Sequence, residues 1–392
     1  MDLRDTPDEE LFRSGLRAWL GENRPAPAAD VAEEEAEEAA EEEAHRDAER
    51  RNWSRRLYDA GYSGLTWPTE HGGGGRPSGY EAILFDELAR AGAPQHLGVI
   101  GLGMVGPTII AVGTEPQKAS RLERILSADE IWCQGFSEPE AGSDLSAVTT
   151  SARLEGSHFV VNGQKVWSSY AHIADWCLLL ARSDPASERH AGLTCLLVEM
   201  TSPGIEVRPL RQLTGEAEFN EIFFSGVEVP VENVLGEVGN GWEVAMTTLL
   251  HERGTLGFSL AAGLGVTMRR LIELAGDRGA TPVQRDAIAR EWVELEALRY
   301  TAYRHLSTPE SGVPGPEGSL LKLQWSEANQ RITKLALELL GPDAQLLEGN
   351  APYGGYWQHL QLRSRGNTIE AGTSEILRNI LAERVLGLPR SR

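Results

Sequence analysis

The sequence predicts a mostly helical α+β protein in three successive parts. A helical N-terminal domain covers residues 1–128, a small antiparallel β-domain 129–235, and a C-terminal four-helix bundle 236–392. Three changes of rhythm carry this reading. Apolar residues first recur at helical spacing, as in Phe12, Leu16, Trp19 and Leu20. From Ile131 to about Val234 the period becomes two, punctuated by turn signals at Glu155-Gly156, Asn162-Gly163, Asp184-Pro185 and Ser202-Pro203-Gly204. From Gly241 the helical period returns, with long helices over about 241–276, 282–306, 317–340 and 373–386 and Gly/Pro-rich breaks at 311–318 and Gly341-Pro342.

Composition narrows the class. The 392 residues are 41% hydrophobic, as expected of a globular chain. No apolar run approaches the length of about 18 residues that a membrane helix needs. With 37 basic and 58 acidic residues the net charge is −21, which argues against a general binder of nucleic acid or anionic membrane. A local phosphate site stays open. Cys133, Cys177 and Cys195 lie far apart in apolar strand-like runs. They form neither a disulfide framework nor a zinc motif, and read as buried thiols of a reducing cytoplasm. The first ten residues contain no apolar targeting core.

The helical part opens at Thr6-Pro7-Asp8-Glu9, a capping box with proline in the first turn. Residues 23–28 form a proline-containing break. The Glu/Ala-rich run 33–43 reads as a solvated helix face continuing to Trp53 and Leu57 and breaking at Gly61. The glycines at 72–75 are not followed by Lys-Ser/Thr, so they read as a connector rather than a phosphate loop. Ser78 and Glu81 form a second capping box, opening a helix that ends near Gly92. Residues 97–112 are small and apolar, which suits a buried helix lining a cavity.

In the β part, strands are expected over 131–137, 147–153, 158–167, 175–181, 193–199, 204–209 and 221–229. The first runs into a corner, Ala141-Gly142-Ser143-Asp144, whose small residues let a ligand approach the backbone. Residues 158–167 read as two strands joined by an Asn162-Gly163 turn, ending in Trp167-Ser168-Ser169.

The paired motifs FSEPEAGSD (136–144) and VNGQKVWSS (161–169) resemble those of the acyl-CoA dehydrogenase family of flavoproteins. The resemblance runs from Trp67-Pro68 to Leu386–Arg390. It implies FAD as cofactor, an acyl-CoA substrate, electron-transfer flavoprotein as acceptor and a tetrameric assembly. It places Phe136, Ser137 and Gly142 at the flavin ring, and Ser143 at the flavin phosphate or the substrate's pantetheine. Trp167 would lie against the ring and Ser169 near its N5. Thr373 and Glu375 match positions that touch the flavin's other end.

Dehydrogenation of an acyl thioester needs a base for the α-proton, ionised yet set among apolar groups. Positions 245, 249, 252, 256 and 260 form one helical stripe, apolar except for Glu252. The pattern fits either a base or an acid paired with a neighbouring cation. The resemblance offers two placements. Many members carry a Glu immediately before Gly-Thr, where this chain has Ala371; others carry it before Arg on the bundle helix, matching Glu252-Arg253. Glu252 is therefore the expected base, with Arg253 orienting it or touching substrate, and Glu370 is the runner-up, one residue out of register.

The chain departs from the family pattern at 276–285. An Arg-x-Gln-Phe-Gly motif that grips a neighbouring subunit's FAD pyrophosphate is absent there, and the expected Gly-Gly loop reads Leu340-Gly341-Pro342-Asp343. Pro282 is expected to reshape the backbone. This resembles the actinobacterial enzymes of sterol side-chain breakdown, which pair two different chains. A flavin monooxygenase or oxidase on the same fold, and a non-catalytic subunit, are the competing functions.

Overall fold

The computed structural model describes residues 4–25, 36–306 and 318–390, with the side chains of 36–44, 252–256 and 305–306 outside that description. In chain order the helices α1 (Pro7–Asn23), α2 (Ala36–Asp59), α3 (Ser78–Ala91), α4 (Gly106–Val112) and α5 (Glu115–Leu126) come first. Strands β1 (Trp132–Gly135), β2 (Ser151–Glu155), β3 (His158–Ser169), β4 (Trp176–Arg182), β5 (Leu193–Glu199), β6 (Ile205–Leu210), β7 (Phe219–Pro230) and β8 (Val234–Leu235) follow. Helices α6 (Gly241–Arg278), α7 (Pro282–Leu306), α8 (Gly318–Leu340), α9 (Tyr356–Asn367) and α10 (Ser374–Ile380) complete the chain. Two compact units interleave along it: Met1–Glu33, Ser78–Pro94 and Arg253–Arg392 form one, Glu34–Pro77 and Gln95–Glu252 the other.

In the second unit the strands run in the order β6-β7-β3-β2-β4-β5-β8, with β1 beside β4. Pairing is antiparallel except for β1 with β4 and a single β2–β4 contact, which are parallel. The sheet is antiparallel-rich, as expected, and the parallel β1–β4 pair adds to it. β1 reaches β4 through residues 136–175, long enough for the chain to return to the same end before pairing. β4 and β5 are apolar almost throughout because both their faces are covered. Leu178, Leu180, Cys195 and Leu197 pack with Ile109, Ile125 and Val244 of the helices. Cys177, Leu179, Leu196 and Val198 face Phe159 and Val161 of β3 and Ile222 and Phe224 of β7.

The expected Asn162-Gly163 turn does not form. β3 runs unbroken through both residues, opposite β7, and its ladder shifts register at Val161/Asn162. The turn between β2 and β3 lies instead at Gly156, with φ +62°. Asn162 spends its side chain on the Gly226 N–H at 2.8 Å. Gly163 takes φ +151°, and a Cβ there would lie 2.6–2.8 Å from Thr150 atoms. The Asn-Gly pair thus makes a bulge against Thr150, just before β2, a second use of the same two residues.

In the first unit, α1 opens as expected: Thr6 and Glu9 complete a capping box with Pro7 in the first turn. Ala261, Leu264, Met268, Leu298, Ile332 and Trp357 share one apolar cluster drawn from α6, α7, α8 and α9. α9 had no counterpart in the sequence expectations. It docks on α8 through polar side chains: Asn329 to Asn367 at 2.8 Å, Gln330 to the Ser364 carbonyl at 2.9 Å and Thr333 to Gln361 at 2.6 Å. This polar seam runs beside the apolar contact of Trp357 and weakens the apolar period. No helix among the described residues is long and apolar enough to cross a membrane.

Gly163→Ala should lower stability by about 1–3 kcal/mol, from backbone strain plus collision with Thr150. Denaturant unfolding checks this; an unchanged midpoint would show that the bulge relaxes.

Candidate functional site

At the end of β3 the ladder with β7 shifts again, between Lys165 and Ser168. A bulge re-aims a side chain, and here it turns the indole of Trp167 outward. Trp167 has φ +62° and is 60% exposed, edge-on to Phe219 at 6.0 Å. Holding a non-glycine residue there costs on the order of 1 kcal/mol. Ser169 follows, half-buried and opposite Phe219. Ser168 points inward, where its Oγ and the Oδ1 of the buried Asn220 find no partner. The Asn220 amide nitrogen donates to the Ser168 carbonyl at 3.2 Å.

The corner after β1 adjoins this bulge. The Val166 N–H donates to the Ser137 carbonyl at 2.9 Å. Lys165, fully buried, donates from Nζ to the Phe136 carbonyl at 3.0 Å and to Glu138 at 2.8 Å. The Glu138 carboxylate also accepts from the Thr149 N–H at 2.7 Å, the Thr149 hydroxyl at 2.8 Å and the Thr150 N–H at 2.8 Å. Burial raises the Glu138 pKa, but Lys165 and these donors outweigh it and hold the carboxyl at about 2. Burial in turn lowers the Lys165 pKa, against the pull of Glu138.

Phe136, Ser137, Trp167 and Ser169 thus lie on adjoining segments. Gly142 and Ser143 are exposed beyond them. The steric case for Gly142 needs correcting: its φ is not positive, and a Cβ there would meet no atom within 4 Å. What it offers is open space rather than a special backbone.

The remaining expected residues belong to α6 and to the approach of α10. Ala245 is buried and Leu249 half-buried against the cluster that includes Trp132 and Phe136. The side chains of Glu252 and Arg253 lie outside the described residues. In the other unit, Thr373 caps α10 by accepting from the Ile376 N–H at 3.2 Å, and Glu375 is exposed in its first turn. Glu370 is ion-paired with Arg363 at 3.0 Å and accepts from Asn367 at 2.7 Å. Lys322 donates to the Gly372 carbonyl at 2.7 Å.

Family models for the acyl-CoA dehydrogenase N-terminal, middle and C-terminal domains match residues 6–129, 133–227 and 239–386. The acyl-CoA dehydrogenase IpdE1 of Mycobacterium tuberculosis is 41% identical over 387 residues, covering 98% of each chain. The chain belongs to the acyl-CoA dehydrogenase family. It is therefore an oxidoreductase of that family's type. Two solved structures are similar over their full length. The Tcur3481-Tcur3483 steroid ACAD matches at 32% identity with a TM-score of 0.85. The ChsE4-ChsE5 complex from Mycobacterium tuberculosis matches at 30% identity, also with a TM-score of 0.85.

Within this acyl-CoA dehydrogenase, the divergent stretch after α6 has an ordered local structure. Arg278 is ion-paired with Asp343 at 2.8 Å, and the Tyr353 hydroxyl donates to Asp277 at 2.9 Å. Thr281 and Gln284 form a reciprocal capping box for α7. Pro282 sits at the first helical position, where its fixed φ suits the start of a helix, so it begins α7 rather than distorting it.

Sequence reasoning missed Lys165, Glu138 and Asn220. The available signal was a lysine on a strand whose other inward residues, Phe159 and Val161, are apolar. It was obscured because the two bulges shift the alternation. Glu138 contributes stability in full above its ordinary value of 4.5, and that contribution is lost as pH falls from 4.5 towards 2. Glu138→Gln should therefore flatten the acid limb of the stability curve in that window, by roughly 2–3 kcal/mol. Denaturant unfolding from pH 7 to 2 checks it; parallel acid limbs would refute the assignment.

Proposed function

We propose that this acyl-CoA dehydrogenase is FAD-dependent and α,β-dehydrogenates an acyl-CoA thioester. Residues 129–235 act as the ring-binding domain and 236–392 carry the base. The observation that carries the reading is the outward Trp167 indole, fixed at a bulge beside the Ser137 corner. An exposed aromatic face beside backbone polar groups fits a planar heteroaromatic ring. Phe136, Ser137, Gly142 and Trp167 would hold the ring, with Ser169 near N5 and Ser143 at the phosphate or pantetheine. Thr373 and Glu375 would meet the cofactor's other end. Bound FAD supplies the acceptor for the β-hydride. Glu252 takes the α-proton and Arg253 orients it or touches substrate. Glu370 is held by Arg363 and Asn367, which supports Glu252 over it. Electron-transfer flavoprotein is the proposed acceptor.

The substrate is proposed to be a steroid-derived acyl-CoA, by likeness to the steroid ACAD. The proposed assembly is a tetramer that includes a related chain, by likeness to the ChsE4-ChsE5 complex. The engagement of Arg278 with Asp343 also supports dependence on a second chain for the FAD pyrophosphate.

Trp167→Ala with Ser169→Ala should lower flavin content in a protein that stays folded. Glu252→Gln should retain FAD yet slow flavin bleaching by acyl-CoA at least about 100-fold, while Glu370→Gln stays active. A panel of steroid and straight-chain acyl-CoA thioesters read by flavin absorbance checks all of these. A dead Glu370→Gln with an active Glu252→Gln would reverse the base assignment.

Purified alone, the chain should be flavin-poor, and co-expression with a related chain should restore a yellow complex. Mass and flavin content together decide this. A fully loaded, active homo-oligomer would sink the two-chain reading and leave the dehydrogenase standing.

A further inference from the structure

We propose that the buried Lys165–Glu138 pair is a positioning device for the cofactor. By holding the Phe136 carbonyl inside the fold, it turns the Ser137 N–H outward as a fixed hydrogen-bond donor to the flavin. The proposal rests on the reading that residues 136–143 and 167–169 face the ring.

A buried ammonium is an expensive way to gain stability, since well-packed apolar residues do as well in its place. What the pair provides is direction. A trans peptide is planar, so its C=O and the following N–H point opposite ways. With the Phe136 carbonyl bound to Lys165 at 3.0 Å, the Ser137 N–H faces away from the interior. It finds no acceptor among the described residues. The next peptide is spoken for at both ends: the Ser137 carbonyl accepts from Val166, and the Glu138 N–H donates to the Ala141 carbonyl at 3.0 Å.

Gly135 leaves room for the β4 side chains packed beside the lysine. A Cβ on Gly135 would come within 2.9 Å of the Cys177 sulfur and 3.5 Å of Lys165 Cγ. The carboxylate end is fixed as firmly, by Thr149 and Thr150. Lys165 also adjoins the bulge that carries Trp167, so one side chain ties the outward donor to the outward ring. Donor and indole then keep one spacing, which a rigid tricyclic ring requires.

The test compares Lys165→Met/Glu138→Gln with the native holoprotein in its full assembly. The double variant leaves no lone charge and keeps one acceptor oxygen for the Thr149 or Thr150 donors. It should unfold within a few degrees of native, bind FAD at least tenfold more weakly and show a displaced visible flavin band. Native affinity with an unmoved band would overturn the proposal. Thr149→Val spares the Lys165–Phe136 bond and should keep FAD affinity within about twofold; an equal loss there would mean a merely structural pair. If the double variant does not fold, Glu138→Gln alone replaces it; it should bind FAD at least about threefold more weakly with the same displaced band, and native affinity with an unmoved band would count against the proposal. The site reading fails separately: FAD indifferent to Trp167→Ala/Ser169→Ala lies elsewhere, whereas FAD sensitive to those changes but not to the double variant refutes only the positioning role.

Discussion

Covering β4 and β5 on both faces is the constraint from which the sheet-bearing unit follows. A strand buried on both sides must satisfy every backbone polar group through its neighbours. β4 therefore lies between β1 and β2 on one edge and β5 on the other. Its side chains are divided between two apolar clusters, Leu178 and Leu180 towards the helices, Cys177 and Leu179 towards β3 and β7. The three cysteines lie buried within this double layer, and burial pushes the Cys195 thiol up to about 12.

A regular ladder built on such a core has no way to present an aromatic face beside backbone donors. Irregularity supplies it. The register shift after Lys165 releases Val166 and Trp167 from pairing with β7, and the left-handed backbone of Trp167 turns its ring out. The strain is about one kcal/mol, small against the apolar layer beneath, so the fold can sustain it. Strained backbone, an exposed indole and a buried ion pair stand beside one another at this bulge.

Much of this was legible in the sequence, wherever the cause is local. Thr6 and Glu9 announce the start of α1 because a capping box needs only neighbours four positions apart or fewer. All seven expected strands have counterparts, since alternation and apolar runs are local signals. The failures share the opposite cause. Asn162-Gly163 made a bulge because β7 and Thr150 arrived alongside, which nothing nearby in the sequence records. α9 was hard to read because Asn, Gln, Ser and Thr make much of its contact with α8 and leave few apolar positions beside Trp357. The parallel pairing of β1 depends on a connection of many residues. Lys165 and Glu138 stand 27 positions apart, so neither predicts the other. Of the candidate site, the motifs named Phe136, Ser137, Trp167 and Ser169; Lys165 and Glu138 beside them came only with the fold.

The same separation of local from distant causes bears on the divergent stretch after α6. Arg278 and Asp343 form a partly exposed pair, with side chains 33% and 44% accessible. Such pairs contribute about 0–1 kcal/mol, so an arriving phosphate could displace Asp343 at little cost. The ion pair alone is therefore a poor lock. Thr281, Pro282 and Gln284 are a stronger obstacle, because they commit this segment to starting α7. Its backbone N–H groups are spent on a helix cap instead of being free to cradle an anion. In a chain of net charge −21, a pyrophosphate needs such groups or fixed cations close by. The proposed dependence on a second chain thus rests on how this loop folds more than on the one arginine it has occupied.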